Sequence, residues 1–478
     1  MNAPIQFDNS YRKLGTQFYA EQEPTPVSAP AMIHLNQTLA QELNIDADWL
    51  HSAEGLAVLS GNAIAEGSEP IATVYAGHQF GGWNPRLGDG RAVLLGEVQS
   101  ASGQRMDLQL KGSGPTMYSR GGDGRAPIGP VIREYIVSEA MHALGVPTSR
   151  SLAAVSTGEQ VMRDAPEPGA VLTRVASSHI RFGTFQYFTS QSDTNSVKQL
   201  ADYVIDRHYP ACAGGENPYL ELFTEIVKRT ASLVAKWQQI GFIHGVMNTD
   251  NMLVCGETID YGPCAFMDTY HPETVFSSID TGGRYAYQNQ PGIAHWNLAA
   301  LAQCFTALVS DTEDTAVELL KAELDQFPGH FFTHHHTGMA HKIGISEPSD
   351  ESDELVRDLL TLMAELKLDY TNTFTRLRQN LIQKAQLPEG LGGWAKTWVS
   401  QISDLESAAD LMAKTNPVII PRNHQVERAI QAALKNDYSL FADLTTALQN
   451  PFDAQWLDSD LAAPPAELEK VQRTFCGT

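Results

Sequence analysis

Two carboxylates and a carboxamide stand close together in the segment His244-Gly-Val-Met-Asn-Thr-Asp250-Asn251-Met-Leu-Val, followed shortly by Ile259-Asp260-Tyr261-Gly262. Asn251 and Asp260 are hard oxygen donors of the kind that hold Mg²⁺ against substrate phosphates. Asp250 is the nearby carboxylate able to take a proton from a hydroxyl. Asn-Thr-Asp-Asn and Asp-Tyr-Gly are also ordinary turn compositions, so residues upstream must decide between chemistry and a bend. Lys111 ends the alternating run Leu108-Gln-Leu110-Lys111, on the strand face opposite both leucines. Glu134 falls beside Val137 and Met141 on one helix face, where a carboxylate bordering apolar surface needs a cation; Lys111 is the natural partner. Arg86-Leu-Gly88-Asp-Gly90-Arg91 and Ser119-Arg-Gly-Gly-Asp123-Gly124-Arg125 flank this lysine. Their small residues let backbone N–H groups approach phosphate and their arginines can bind it bidentately, although Asp-Gly is equally a hairpin turn. Arg174 and Arg181 add further positive charge, and together with Arg91 and Lys111 they read as a polyphosphate pocket.

Such side chains need rigid elements beneath them. Short β-type runs dominate upstream: Ile71 to Tyr75, Arg91 to Val98, Asp107 to Lys111, Ala170 to Val175 and Thr184 to Phe188. One helix interrupts them from about Ala126 to Leu144, with Pro130 in its first turn and Gly145-Val-Pro147 stopping it. Downstream the apolar period becomes helical, at Leu222, Ile226, Leu233 and Trp237, at Trp296, Ala300 and Cys304, and at Leu355, Leu359 and Met363. The texture changes near residue 195. The expected fold is therefore α+β and two-lobed: a sheet-rich, nucleotide-binding N-lobe with an N-terminal extension over 1–195, and a helical C-lobe over 196–478 carrying the catalytic and metal-binding loops and a tail. Met252 to Val254 and Thr258 to Ile259 are predicted to pair as a hairpin. His330, His334, His335, His336 and His341 are predicted to lie in a solvated loop, since they lack the paired spacing of zinc ligands. Beyond Asn450 the Pro-, Ala- and Asp-rich chain is expected to lie over the surface.

Composition narrows the function classes. With 33 basic and 56 acidic side chains in 478 residues, the net charge is −23, which argues against a nucleic-acid binder or a polybasic membrane-surface protein. No window approaches about 18 uninterrupted apolar residues, and Met1-Asn-Ala-Pro-Ile-Gln-Phe-Asp has neither signal nor transit character. Cys212, Cys255, Cys264, Cys304 and Cys476 are sparse, odd in number and without a CxxC pair, as expected in the cytoplasm. Cys476 reads as an exposed thiol of the tail.

The spacing from His244 to Asn251, followed by Asp260-Tyr261-Gly262, resembles the protein-kinase catalytic loop and Asp-Phe-Gly motif. Val246 stands where a kinase carries its catalytic aspartate, which points to a pseudokinase or to an enzyme using ATP differently. Tyr75 to Arg91, Leu110-Lys-Gly-Ser-Gly-Pro-Thr116, His244 to Asn251 and Asn416-Pro-Val-Ile-Ile-Pro-Arg-Asn423 together resemble the selenoprotein O (SelO) family, from about residue 10 to the C-terminus. The resemblance implies a kinase-like fold that binds ATP in a flipped orientation and transfers AMP to Ser, Thr or Tyr hydroxyls of protein substrates. By matched motif it implies ATP at Gly88, Gly90, Arg91, Lys111, Asp123, Gly124, Arg174 and Arg181; Glu134 joins this nucleotide site through its expected pairing with Lys111. It further implies Mg²⁺, or Mn²⁺, at Asn251 and Asp260, and Asp250 as the base. Cys476 stands where some family members carry selenocysteine. A kinase using Asp250 as a displaced base, and a silent nucleotide-binding scaffold, are the alternatives on the residues alone.

Overall fold

Alternating aliphatic and polar residues build a sheet in the early part of the chain. The computed structural model of the protein describes residues 4–475. In chain order it contains β1 (Tyr19–Glu21), β2 (Ala31–Leu35), three short helices α1 (Gln37–Glu42), α2 (Ala47–His51) and α3 (Ala53–Leu59), then β3 (Ile71–Thr73). A small ribbon of β4 (Gly77–Gln79) and β5 (Gly82–Asn84) precedes β6 (Ala92–Gln99), β7 (Arg105–Lys111), β8 (Ala126–Pro127), α4 (Ile128–Ala143), β9 (Arg150–Met162) and β10 (Pro166–Ala176). Eight strands form one antiparallel sheet in the order β1-β3-β6-β7-β10-β9-β2, with β8 joined to β10. Leu108, Leu110, Val171 and Val175 bury one face against Leu39, Leu50 and Leu59 of α1 to α3. On the other face Ala154 and Leu172 meet Ile132, Tyr135 and Ile136 of α4.

Helices follow: α5 (Phe182–Ser190), α6 (Thr194–His208) and α7 (Pro218–Ile240), the small pair β11 (Phe242–Ile243) and β12 (Ala265–Phe266), then α8 (Gln290–Val309), α9 (Glu313–Leu324), α10 (Phe327–Lys342), α11 (Asp350–Glu365), α12 (Tyr370–Gln383), α13 (Gly392–Gln401), α14 (Leu405–Thr415), α15 (Asn423–Ala433) and α16 (Ser439–Leu448). The longest, α7, starts on Asn217, whose side chain accepts from Leu220 N, with Pro218 behind it, and ends at Gly241 in the left-handed region. Its stripe of Leu222, Ile226, Leu233 and Trp237 is buried. The segment Tyr287–Val309 is long and apolar enough to cross a membrane by composition, and half of it is buried within this fold. The last two helices return to the sheet region, where Val426, Ile430, Phe441 and Leu444 share the core of α4.

The structure corrects several expectations. Thr184 to Phe188 is helical, part of α5, because Phe182, Phe185 and Phe188 recur at helical spacing and are all buried. Met252 to Val254 and Thr258 to Ile259 do not pair with each other. Leu253 bridges Arg181 and Thr258 bridges Thr148, so both arms are tied to upstream segments. The histidine-rich stretch is helix α10, with His336 Nδ1 2.8 Å from an Asp353 carboxylate oxygen. Trp296 is 37% exposed and lies outside the buried stripe of α8. The tail beyond Asn450 is pinned as well as surface-lying: Thr474 is 1% exposed and its hydroxyl donates to Pro263 O at 2.5 Å. Cys476 lies outside the described residues.

One buried charge has no carboxylate among the described residues. Lys342 is 2% exposed, and its ammonium lies 4.1 Å from the Phe374 ring centroid and 5.4 Å from that of Tyr370. Burial pushes it down to about 7. Because the unfolded chain holds that proton up to a pH near 10, stability at this site is lowest below pH 7 and rises with pH between the two values. Lys342→Met should therefore stabilise by about 2 kcal/mol at pH 6, with the gain shrinking toward pH 10. Thermal unfolding at both pH values measures this, and an equal gain at both would refute it.

Candidate active site

Cross-strand register gathers the cations. Leu172 of β10 lies opposite Lys111 of β7, and Arg174 opposite Gln109, so Gln109, Lys111 and Arg174 share one sheet face. Helix α4 crosses that face with Glu134. Lys111 Nζ donates to Glu134 Oε2 at 2.5 Å, the pairing expected from sequence, and Arg174 Nε donates to Oε1 at 2.8 Å. Asp260, whose φ is 64°, closes the cluster from the other side. Its Oδ1 accepts from Lys111 Nζ at 3.2 Å and Arg174 Nη2 at 2.8 Å, and its Oδ2 from Arg181 Nη1 at 2.6 Å. Arg181 also lies 4.8 Å from the Tyr75 ring centroid and donates to the Asp250 carbonyl.

Buried charges persist when they are paired and hydrogen-bonded, and each of these three cations meets a carboxylate. Burial pushes the Asp260 carboxyl up, but Arg181, Arg174 and Lys111 more than reverse it and hold it well below the usual carboxylate range. Glu134 is lowered in the same way, burial being outweighed by Arg174 and Lys111. Lys111 moves down as well, through burial and the neighbouring Arg174. With two carboxylates within 3.2 Å, we assign it as the ammonium of the cluster.

The loop carrying Asp250 is built by its own polar groups. His244 Nε2 lies 2.9 Å from the Ile259 carbonyl and its Nδ1 lies 3.4 Å from Val246 N, partners that assign the proton to Nε2. Asn251 Nδ2 donates to Val246 O at 2.9 Å, which leaves its carbonyl oxygen as the group for another partner. Asp250 Oδ2 accepts from Gln79 Nε2 at 3.1 Å, while the buried Oδ1 takes no hydrogen bond. Burial pushes the Asp250 carboxyl up to about 6, against the opposing pull of Gln79 and Arg181. A carboxylate near that value is matched to proton acceptance at neutral pH. The β4–β5 ribbon closes over it through Gly77, where a Cβ would stand 2.5 Å from Asp250 Oδ1.

Gly88, Gly90, Arg91, Lys111, Asp123, Gly124, Glu134, Arg174, Arg181, Asp250, Asn251 and Asp260 all line one cleft of 530 Å³. Seven cationic side chains and five carboxylates line it, against 33 and 56 in the whole sequence, so the cleft reverses the sign of the protein. The glycines have local structural reasons to be glycine. A Cβ on Gly88 would enter the Tyr118 ring at 2.3 Å, and one on Gly124 would meet the Gly114 carbonyl oxygen at 2.0 Å. Asp123 is paired with Arg163 at 2.9 Å. Tyr75, Gln79, Tyr118, Arg163 and Asn248 also line the cleft and were not singled out by type or spacing. The Gly77-His-Gln-Phe-Gly-Gly82 run that carries Gln79 was the available signal.

A family model described as protein adenylyltransferase SelO matches residues 2–449. The chain belongs to the SelO family. Curated SelO-family relatives named "Protein nucleotidyltransferase YdiU" include one from Rhizobium etli (strain CIAT 652), 53% identical over 491 residues, covering 100% of this chain and 98% of the relative. One from Rhizobium meliloti (strain 1021) is 52% identical over 488 residues, with 99% of each covered. One from Rhodopseudomonas palustris (strain HaA2) is 51% identical over 493 residues, with 100% of each covered. This SelO-family chain is a nucleotidyltransferase, with ATP as the nucleotide substrate the family implies.

Proposed function

We propose that the chain transfers AMP from ATP to a Ser, Thr or Tyr hydroxyl of a protein substrate, releasing pyrophosphate. The observation that carries this reading is the cation cluster of Lys111, Arg174 and Arg181 around Asp260, set beside a raised Asp250 carboxyl and with Val246 in the kinase-base position. Buried cations clustered in the cleft favour the terminal phosphates being held there as the leaving group, which turns the α-phosphorus toward the acceptor. The acceptor oxygen then bonds to the α-phosphorus, the bond from that phosphorus to the β-bridging oxygen breaks with its electron pair leaving on pyrophosphate, and the hydroxyl proton passes to Asp250. Arg91, Gly88, Gly90, Asp123 and Gly124 complete the nucleotide site, and Glu134 holds Lys111 in place.

Asn251 and Asp260 present hard oxygen donors that fit Mg²⁺, or Mn²⁺, which when bound would neutralise phosphate charge. We read the architecture as kinase-like, with lobes over 1–195 and 196–478 and with α15 and α16 returning to the first. Among the described residues Cys212, Cys255 and Cys304 are free and buried, which supports a cytoplasmic setting.

ATP labelled separately at the α and γ positions tests the reading. Protein should be labelled from the α position alone, and Asp250→Ala should lose roughly 10²-fold or more of that signal while still binding ATP. Label from the γ position would return the chain to the kinases. Tight ATP binding with no label from either position would make it a scaffold.

A further inference from the structure

Beside the cleft, which Phe80 lines, stand aromatic rings that the core does not need. Phe80, Trp83 and Trp296 are 38%, 42% and 37% exposed. The β4–β5 turn places Phe80 at φ 52° and Gly81 at φ 82°, a primed hairpin turn whose first position suits Asn, Asp or Gly and strains a bulky aromatic. Strain of this kind is retained where a side chain is needed in that place. His78 joins the two tryptophans, with its ring 4.8 Å from Trp83 and 5.3 Å from Trp296.

Arg284 lies within this aromatic face. Its guanidinium carbon is 4.9 Å from the Trp296 ring centroid and 5.7 Å from that of Tyr285, and a Cβ on Gly81 would stand 3.8 Å from it. Stacked rings hold a guanidinium flat and ready for a planar anion. Among the described residues no carboxylate pairs with it, and its Nε is buried without a hydrogen-bond partner. The nearby Asp280 carboxylate is used by the backbone N–H groups of Arg284 and Tyr285, at 2.9 and 2.8 Å. In a chain of net charge −23, a half-buried arginine without a carboxylate is a specific place for one.

The face is continuous with the reaction centre. Gln79, two residues before Gly81, donates to Asp250 at 3.1 Å, and Phe80 N donates to Asn248 Oδ1 at 3.0 Å. We propose that Phe80, Trp83, Trp296 and Arg284 dock the acceptor polypeptide. They take an extended segment in which an acidic side chain next to an apolar one lies within about four residues of the modified hydroxyl, at ~3.3 Å per residue. This rests on the reading of the chain as a protein-modifying enzyme. Arg284 supplies charge complementarity and the rings supply area at small entropic cost.

Fluorescein-labelled peptides with a single serine and a Glu-Phe pair two, three or four residues away, and their Gln-Phe counterparts, test the proposal on the full chain. At least one Glu peptide should bind about tenfold more tightly than its Gln counterpart. Arg284→Gln should erase that difference, and Arg284→Glu should reverse it in favour of a Lys-Phe peptide. Trp296→Leu should weaken both members of each pair, and AMP release from ATP without peptide should be unchanged in Arg284→Gln. Equal binding of every Glu and Gln pair to the wild type, or an equal loss for both in Arg284→Gln, would overturn the docking face. Peptides that bind as expected but carry no α-label would leave the docking face standing and remove the AMP-transfer reading.

Discussion

Asp260→Ala is expected to lower nucleotidyl transfer by roughly 10³-fold or more, while metal-free ATP binds at least as tightly as to the wild type. The two effects have one cause. In the proposed reaction Asp260 would offer an oxygen ligand to a divalent cation, and in the structure it occupies Lys111, Arg174 and Arg181, at 3.2, 2.8 and 2.6 Å. Removing it deletes that oxygen, leaves Lys111 and Arg174 with Glu134 as their remaining carboxylate partner, and leaves Arg181 with no carboxylate among the described residues. Breaking one member of a buried ion cluster costs about 3–5 kcal/mol because the remaining charges stay desolvated. A polyphosphate can replace the lost anion, so ATP or inorganic pyrophosphate should raise the Tm of the variant more than that of the wild type. Titration of ATP in EDTA, thermal unfolding with and without pyrophosphate, and α-label incorporation check the three parts. A variant that keeps near-normal transfer at saturating Mg²⁺, or that loses ATP binding altogether, would contradict this account of Asp260.

The cation cluster was legible because charge at a fixed strand or helix position is local information. Lys111 follows from alternation along β7, Glu134 from its place beside Val137 and Met141, and their contact from the need to pair a carboxylate that borders apolar surface. The helices α4, α7 and α11 were legible for the same reason: their apolar stripes and end signals lie within single turns of chain. What failed depended on partners distant in sequence. Leu253 and Thr258 look like the two arms of a hairpin, yet each is claimed by a strand-like segment more than seventy residues upstream, Arg181 and Thr148. Thr184 to Phe188 has strand-forming residues, but burying Phe182, Phe185 and Phe188 on one side of a helix overrides propensity. Gln79 could not be found by type, since a glutamine becomes a partner for Asp250 only when the ribbon folds over the loop. The return of α15 and α16 to the core of α4 likewise has no signature in period or composition.

The Asn416 to Asn423 segment, a Pro-bounded turn by sequence, acquires a physical role from Arg422, and its loss should be the largest single stability defect in the molecule. The Arg422 side chain has no solvent exposure, and all five of its N–H groups find acceptors. Nη1 donates to Asp268 at 2.5 Å and to Asp369 Oδ2 at 2.8 Å; Nη2 donates to Asp369 Oδ1 at 3.1 Å and Asn372 Oδ1 at 3.2 Å; Nε donates to Ala462 O at 2.9 Å. Asp268 belongs to the chain just beyond Asp260-Tyr261-Gly262, Asp369 caps the start of α12, and Ala462 lies in the tail, so one side chain ties the tail to two segments that themselves meet at the Thr269–Asp369 bridge. Its neighbours extend the tie: Asn416 donates to Lys342 O at 2.8 Å, and Asn423 accepts from Arg133, next to Glu134, at 2.8 Å. Pro417 and Pro421 fix φ at the two ends of the intervening backbone, and Ile419 and Ile420 are fully buried. Arg422→Ala should cost about 3 kcal/mol, because the partly buried Asp268 and Asp369 lose their shared counter-charge and the site of the fully buried guanidinium is left empty. Arg422→Lys should recover little of this, since a point charge cannot serve a fork of five acceptors. Arg422→Met combined with Asp369→Asn should be more stable than Arg422→Met alone, because the stranded charge is then removed as well. Urea unfolding of the four variants measures each term, and a lysine variant as stable as the wild type would show that charge alone, without the planar geometry, holds this junction together.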